Sequence, residues 1–293
     1  MTARYAMLIV GLFLLLVAAP AAQVQFRATS DVVTVDVSVR DGSRVVTGLT
    51  VADFEVDDNG IRQTVAEVSY GTMPIDITIA LDISWSVQGE RLMQLRRAVG
   101  QLMRDLGDED RLSLIAFNVR PIRVVDFTRD VADVDRALSQ LSAGGGTSIW
   151  DSTAVALSAA RPPGRRHLLV LFTDGQDSTS FTSPRQLVQL AQRMNTTISF
   201  VFPRVRFQFG NGQRTGNPTL EGLARETGGT SFPLLDSGED LSEAFGTLMS
   251  AFRSTYVLHY QPRGVAPAGF HTLTVNIAGK PKYSVTSRRG YVR

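Results

Sequence analysis

The sequence predicts an α/β fold: a doubly wound, mostly parallel sheet with helices on both faces, beside a small β-sandwich-like unit. Between residues 74 and 253, short apolar runs typical of buried strands alternate with segments whose apolar residues recur at helical spacing. Before and after that region the patterns are those of strands alone. These two outer segments are expected to pair with each other, because an isolated hairpin is marginal in water.

The first 22 residues have the pattern of a secretory signal peptide. Arg4 precedes an apolar stretch from Met7 to Ala18, and small residues follow at 19–22. The stretch is shorter than the roughly 20 residues of a transmembrane helix, although an uncleaved N-terminal anchor is the alternative. We expect cleavage near Ala21 or Ala22, a periplasmic or extracellular protein, and no membrane span in the mature chain.

Residues 23–73 are predicted to be a β-rich N-terminal segment. Val32 to Val39 alternates and is β-branched, Asp58-Asn59-Gly60 is typical of a hairpin turn, and residues 64–68 suit a further strand. The C-terminal segment, 254–293, has strand patterns as well, at residues 256–260, 271–277 and 283–287. We expect it to pair with the first segment.

The region 74–253 is predicted to form the α/β domain. An apolar strand from Ile75 to Leu81 ends in Asp82, and a second from His167 to Thr173 is followed by Asp174. Such continuous apolar runs are typical of strands buried on both faces. Further strands are expected at 112–117, 122–127, 198–202 and 231–235, and helices at 90–106, 131–141, 148–160, 184–194, 220–226 and 241–252.

Composition excludes several classes of function. The chain of 293 residues has a formal net charge of only +2, so no strong global field favours nucleic acid or an anionic membrane. It has no cysteine, which excludes disulfides and thiolate chemistry. Its three histidines are far apart, and no zinc-hydrolase, GxSxG or phosphate-loop motif occurs. The commonest enzyme classes are therefore not indicated.

Three short elements carry the chemistry. Asp82-Ile83-Ser84-Trp85-Ser86 follows the first buried strand, Gly144-Gly145-Gly146-Thr147-Ser148 precedes a helix, and Thr173-Asp174-Gly175 ends the next buried strand. Each has an ordinary interpretation, since these residue types also serve in turns and helix N-caps. In open α/β sheets, however, ligands gather at the carboxyl ends of strands, where all three elements are expected to meet.

These residues resemble the metal-ion-dependent adhesion site of von Willebrand factor A domains. That pattern is D-x-S-x-S, then a threonine in a distal loop, then an aspartate after a later strand. The corresponding ligands here are Asp82, Ser84, Ser86, Thr147 and Asp174. The lead-in at 48–56 and the ending at 256–260 and 289–291 are similar to secreted bacterial proteins related to this family.

The resemblance implies a bound Mg²⁺, Mn²⁺ or Ca²⁺, in keeping with carboxylate and hydroxyl ligands and no imidazole or thiolate. It also implies a protein partner that supplies an acidic residue to the ion. The favoured function is therefore a non-enzymatic, metal-dependent adhesion or assembly module. Two alternatives stay open: a metal-assisted hydrolase using a carboxylate as base, and a structural envelope protein with a vestigial site.

Three further features of the sequence bear on this pattern or lie outside it. Trp85 stands where the family usually has glycine, so it could contact a partner, narrow access to the site or pack on the neighbouring loop. No Asp-Asp pair follows Ser86, so a second adjacent metal site is not indicated. The Arg-, Gly- and Asn-rich stretch 203–218 is interpreted either as a disordered insertion or as a recognition loop.

Overall fold

A computed structural model describes residues 32–159, 162–203, 217–234 and 241–293. The predicted signal peptide and most of the 203–218 stretch lie outside these ranges. The strands are β1 Val33–Asp41, β2 Arg44–Val45, β3 Phe54–Asp58, β4 Ile61–Gln63, β5 Val65–Tyr70, β6 Ile75–Asp82, β7 Arg111–Phe117, β8 Pro121–Thr128, β9 Arg166–Phe172, β10 Thr197–Pro203, β11 Ser231–Leu234, β12 Tyr256–Tyr260, β13 Phe270–Ile277, β14 Ser284–Ser287 and β15 Gly290–Val292. The helices are α1 Glu90–Arg104, α2 Val131–Gln140, α3 Ile149–Leu157, α4 Pro184–Arg193, α5 Pro218–Thr227 and α6 Leu241–Arg253.

The central sheet has the strand order β11-β10-β9-β6-β7-β8. Its neighbouring strands are parallel except for β8, which returns antiparallel to β7 through a short hairpin. Because the strand order reverses direction at β6 and β9, the carboxyl ends of these two strands border a crevice suited to a ligand. The predicted α/β fold class is confirmed.

Strand β6 explains why helices cover both faces of this sheet. All of its eight residues are buried. Ile75, Ile77 and Ile79 belong to the core shared with α1, α2 and α6, whereas Ala80 belongs to the core shared with α3, α4 and α5. Apolar residues in both alternations of a strand are what a sheet covered on both sides requires.

The segments before β6 and after α6 build two further antiparallel sheets. One has the order β14-β1-β12-β5 with β2 beside β1, and the other has the order β15-β13-β3-β4. Both sheets contain strands from both segments: in the first sheet they alternate, with β12 between β1 and β5, and in the second β13 pairs with β3. Val35, Val37, Val56 and Val275 lie in one apolar core shared by the two sheets. This is the sandwich-like unit, although domain boundaries at 73/74 and 253/254 remain a prediction.

A polar cluster is enclosed in the sandwich. The carboxylate of Asp58 accepts hydrogen bonds from the Tyr260 hydroxyl at 2.9 Å and from the Tyr291 hydroxyl at 2.8 Å. Nδ1 of His271 lies 2.8 Å from its other oxygen, and the imidazole stacks on the Tyr291 ring. Burial, together with the neighbouring Asp58, raises the pKa of Tyr291 to about 12. Both tyrosines therefore stay protonated and donate to the carboxylate.

Two buried arginines join the sandwich to the α/β part. Nε of Arg166, at the start of β9, donates to Asp36 of β1 at 2.7 Å, and its guanidinium lies over the Phe252 ring. From the other side, Arg288 donates to the Gln192 carbonyl at the end of α4 at 3.0 Å. A buried guanidinium without partners is costly, so these contacts hold the two parts together.

The observed elements differ from the expected ones mainly at their ends. The first helix stops at Arg104 rather than at 106, and the helix expected at 148–160 covers Ile149–Leu157. The short strands β2, β4 and β15 had no clear sequence pattern. Within the described ranges, no helix combines the length and the apolar character needed to cross a bilayer.

Candidate metal centre

Three loops meet at the carboxyl edge of the central sheet. Strands β6 and β9 are parallel neighbours, with Leu81 opposite Phe172, so Asp82 and the Thr173-Asp174 pair leave the sheet side by side. The third loop, residues 144–148, enters α3. The arrangement follows directly from parallel pairing, because parallel strands end at the same edge.

Backbone hydrogen bonds tie these loops to one another. The Gly144 amide donates to the Ile83 carbonyl at 2.7 Å, which joins the glycine loop to the D-x-S-x-S loop. The Ser178 amide donates to the Thr147 carbonyl at 2.8 Å, and the Ser178 hydroxyl accepts from the Thr147 amide at 2.9 Å. The glycine loop is thereby fixed to both of its neighbours.

Asp82 lies at the centre of this arrangement and is fully buried. Oδ1 accepts from the Ser84 amide and Oδ2 from the Thr173 hydroxyl, each at 2.9 Å. Burial, with a smaller contribution from the charge of Asp174, raises the pKa of Asp82 to about 6 although these hydrogen bonds act to lower it. Among the described residues no arginine, lysine or histidine pairs with it. A buried carboxylate without a positive partner is a costly arrangement.

The two serines of the motif face each other. Their Oγ atoms are 3.2 Å apart, with Ser84 buried and Ser86 exposed at the rim. A short 3₁₀ turn at residues 85–87 places them on the same side of the loop. The two hydroxyls and the Asp82 carboxylate therefore form a small group of oxygen atoms that opens toward solvent.

Thr147 is held by its backbone rather than by its side chain. Its amide and carbonyl are bound to Ser178, as described above, while no hydrogen bond joins its hydroxyl to another described residue. It does not cap α3 either, because the N-cap position is Ser148. The Ser148 hydroxyl itself lies 3.2 Å from Ser152 Oγ instead of on a backbone amide. The Thr147 hydroxyl is therefore available to a ligand.

Asp174 is partly exposed and bends away from the sheet in a tight turn. One carboxylate oxygen accepts from the Gln176 amide at 3.1 Å. The turn requires glycine at position 175, where φ is +84° and a Cβ would stand 3.1 Å from the Asn217 side chain. Asp174 is near enough to Asp82 for the two charges to repel. The structure thus brings all three predicted elements together.

Sequence reasoning missed the residues that support these loops. The Thr173 hydroxyl donates to Asp82, a role that the Thr173-Asp174-Gly175 pattern at the end of a strand does not indicate. The first turn of α3 is capped from outside, since Asp177 accepts from the Trp150 amide and Ser180 Oγ accepts from the Asp151 amide, each at 3.2 Å. These two contacts join residues about 30 positions apart, and no local sequence pattern predicts them.

Trp85 stands at the mouth of the centre. Its backbone amide donates to the Gly145 carbonyl at 3.2 Å, and its indole edge lies against Gly144. Two thirds of its surface, 66%, is nevertheless exposed. The side chain therefore rests on the neighbouring loop and also offers a large apolar face to solvent.

The donor set suits a hard divalent cation. It offers two carboxylates and neutral hydroxyls, with no sulfur or imidazole, which is the chemistry that Mg²⁺, Mn²⁺ and Ca²⁺ prefer. No group of three or more His, Cys, Asp or Glu in the described ranges is placed to hold a metal ion. A cation here would therefore depend on the hydroxyls as much as on the carboxylates.

The fold is a doubly wound α/β domain, and its candidate site is a group of oxygen atoms at the carboxyl edge of the sheet. The model of the von Willebrand factor type A domain matches residues 76–246, which is more than half of the chain. The chain belongs to this family. Members of the family typically act in protein–protein interaction and adhesion.

Several curated relatives are animal proteins of much greater length. The chain is 23% identical over 263 residues to the inter-alpha-trypsin inhibitor heavy chain H4 of Bos taurus, a match covering 83% of this chain and 28% of the relative. It is 28% identical to the Homo sapiens heavy chain H4 over 172 residues, a match covering 54% of this chain and 18% of the relative. The chain thus spans under a third of these relatives.

Solved structures share the fold at low identity. A von Willebrand factor type A protein from Catenulispora acidiphila is 16% identical with a TM-score of 0.52, covering 85% of this chain and 74% of that one. Proximal thread matrix protein 1 of the mussel byssus, with zinc in its MIDAS motif, is 14% identical with a TM-score of 0.50, covering 65% and 48%. These likenesses concern the fold alone.

Proposed function

We propose that this chain is a protein-binding module whose attachment to its partner depends on a divalent cation held by Asp82, Ser84, Ser86, Thr147 and Asp174. The observation that carries the proposal is the buried Asp82 carboxylate, which has no positive partner among the described residues and has a second carboxylate close by. A dication would remove the cost of both charges.

Each residue has a distinct part in this proposal. Asp82 and Asp174 supply negative charge, and Ser84, Ser86 and Thr147 supply neutral oxygens. Two carboxylates leave a dication with little excess negative charge around it. When bound, Mg²⁺, Mn²⁺ or Ca²⁺ supplies an electrophilic position for an Asp or Glu of the partner. The rigid loops keep the five side chains ready for the ion.

The positions of the histidines support a non-enzymatic role. His167 lies in β9 beside Phe127, His259 lies in β12 beside Thr34, and His271 is enclosed in the sandwich. None belongs to the three loops. The usual general base is therefore missing from the centre, and binding rather than turnover is the function we propose.

Export is part of the proposal and rests on residues 1–22. We propose that these residues direct the protein to the periplasm or the cell exterior, where the module acts. N-terminal sequencing of the protein from the native host should find a chain starting near Ala22 or Gln23. An intact Met1 on a cytoplasmic product would contradict this.

Metal titration of the purified protein tests the centre directly. Isothermal calorimetry with Mg²⁺ or Mn²⁺ should show one saturable site. Thr147→Ala should clearly weaken metal binding while the protein stays folded, because one neutral ligand is lost and no charge changes. Thr274→Ala, an exposed threonine on β13 in the sandwich, is the matched control and should bind as the wild type does. Equal affinity in Thr147→Ala would remove Thr147 from the ligand set.

Partner capture tests the function itself. Immobilised protein should retain a partner from an extracellular or envelope extract in Mg²⁺ and release it when chelator is added. The same partner should fail to bind the folded Asp82→Ala variant. Retention in chelator would show that attachment does not run through a cation, even though the fold is that of the family.

A further inference from the structure

Three apolar side chains stand exposed around the candidate metal centre. Trp85 lies between the two serines of the motif, Val119 lies at the tip of the β7–β8 hairpin, and Phe181 lies in the loop after β9. We call these three residues the apolar rim. We propose that the rim receives apolar side chains next to the partner's acidic residue. The inference rests on the proposed function and specifies its partner: a protein loop whose Asp or Glu is flanked by bulky apolar residues.

Phe181 is held in its exposed position. The residue is 98% exposed, yet its amide donates to Asp151 Oδ2 at 3.0 Å, and the next amide, of Thr182, donates to Oδ1 at 2.8 Å. Asp177 and Ser180 tie the same loop to the first turn of α3, as described above. This phenylalanine adds almost nothing to the core, and its backbone is fixed at several points. Such a residue is suited to an intermolecular contact.

Val119 and Trp85 line the glycine loop that leads to Thr147. A Cβ at Gly145 would meet Val119 Cγ1 at 3.3 Å, and one at Gly144 would meet the Trp85 indole at 3.9 Å. The Val119 carbonyl also accepts from the Thr179 hydroxyl at 3.4 Å, which connects the hairpin tip to the loop that carries Phe181. Trp85 and Val119 therefore both lie against the glycine loop, and the loop that carries Phe181 is bonded to the hairpin that carries Val119.

The charges at this edge favour an acidic partner. Arg91 donates to the Ser86 carbonyl at 3.2 Å, so its guanidinium lies beside the centre, and Arg120 is exposed at the hairpin tip next to Val119. The nearby carboxylates of Asp151 and Asp177 are already bound to backbone amides. A cation together with two arginines attracts an anionic residue, and aromatic side chains are the usual anchors of such interfaces.

A displayed peptide library tests this partner chemistry. The probe is a disulfide-closed library of nonapeptides with a fixed central Asp and randomised flanks, selected on the wild-type protein in Mg²⁺. Selected flanks should be enriched in Phe, Tyr, Trp, Leu and Ile. The best peptide is then synthesised together with its central-Asn version, and dissociation constants are measured.

Three variants separate the rim from the centre. Phe181→Ser and Trp85→Ser should each weaken peptide binding by about tenfold or more, as loss of an interface anchor does. Their affinity for Mn²⁺ should stay within about twofold of the wild-type value. Ile61→Ser, which changes an exposed isoleucine of the sandwich, is the matched control and should bind normally. Circular dichroism confirms that each variant is folded.

The outcomes distinguish the two proposals. Selected peptides that need Mg²⁺ and the central Asp but show no apolar preference would overturn the rim and leave the metal-dependent function standing. Full peptide affinity in both rim variants would also overturn the rim, and so would a selection that enriches no peptide. Binding that persists in chelator, or with the central Asn, would overturn the proposed function itself.

Discussion

The Thr173 hydroxyl donates a 2.9 Å hydrogen bond to Oδ2 of Asp82, and both side chains are fully buried. The same hydroxyl accepts from the Gly175 amide at 3.1 Å. Thr173 therefore couples the carboxylate at the end of β6 to the turn that carries Asp174. It contacts no solvent, so its effect on a ligand would act through the orientation of these two neighbours.

Replacing Thr173 with valine should weaken metal binding without unfolding the protein. Valine keeps the shape of threonine but cannot donate to Asp82, so the carboxylate loses one of its two anchors. Loss of such a supporting hydrogen bond typically lowers metal affinity 10–100-fold, and calorimetry with Mn²⁺ measures it. Thr274→Val is the matched control. An unchanged dissociation constant would mean that Thr173 has no role in positioning the ligand.

Asp82→Asn should abolish metal binding yet stabilise the metal-free protein. The substitution removes a buried charge that also repels Asp174. The pKa of Asp82 is raised from 3.8 to about 6. The substitution should therefore increase the free energy of unfolding at pH 7 by up to about 3 kcal/mol. Urea unfolding in chelator gives the free energy of unfolding, and Mg²⁺ should no longer raise the melting temperature. A variant less stable than wild type in chelator would contradict this account of the centre.

Asp76 should stabilise the fold at neutral pH and lose that effect in acid. Burial acts to raise its pKa, but hydrogen bonds and charges from Arg111 and Arg165 outweigh burial and lower it below 3.8. A lowered carboxyl pKa stabilises the folded state above the ordinary value, and the contribution disappears as the pH falls through the folded-state pKa. Asp76→Asn should therefore cost about 3 kcal/mol at pH 7.

The test of Asp76 is a comparison of urea unfolding across pH. The difference between wild type and Asp76→Asn should be constant from pH 7 down to about 5 and should shrink below pH 4. Asp126→Asn is the control, because its carboxylate pairs with Arg123 at the exposed surface and should contribute less than 1 kcal/mol. A difference that grew as the pH fell would reverse the assigned direction of the pKa.

Deletion of residues 254–293 should release the N-terminal strands. Strand β12 lies between β1 and β5, so its removal leaves two strands that do not pair with each other. Hydrogen exchange of the amides in 33–70 should then speed up to near the unfolded rate. The strands β6 and β9, in the same sample, give the internal comparison. Unchanged protection of 33–70 would show that the N-terminal segment is stable alone.

The central sheet could be predicted from the sequence because its inner strands are unusually apolar. Strands β6 and β9 are apolar in both alternations, so their burial, their parallel pairing and the position of Asp82 and Asp174 at one edge all follow from composition and order. The antiparallel direction of β8 could also be predicted, because only three residues separate it from β7 and a parallel crossover needs a dozen or more. The five proposed ligands remain a prediction, although their loops are adjacent in the structure.

The supporting contacts were beyond sequence reasoning. Asp177 caps a helix that begins nearly 30 residues earlier, and its only local signal is that of an ordinary turn aspartate. Likewise, pairing between the outer segments was expected, but the partner of each strand is set by register across the whole chain. Such contacts depend on how distant loops approach, which residue spacing does not record.

The interleaved sandwich has a consequence for the order in which the molecule is made. Thr34 on β1 meets His259 on β12 across 225 residues of chain. At 5–20 residues per second, a ribosome needs roughly 10–45 s to make that interval. Until then the first strands have open edges, while the α/β part between them can already fold. The sandwich can close only after β12 is made, and by then all the loops of the candidate metal centre have been synthesised.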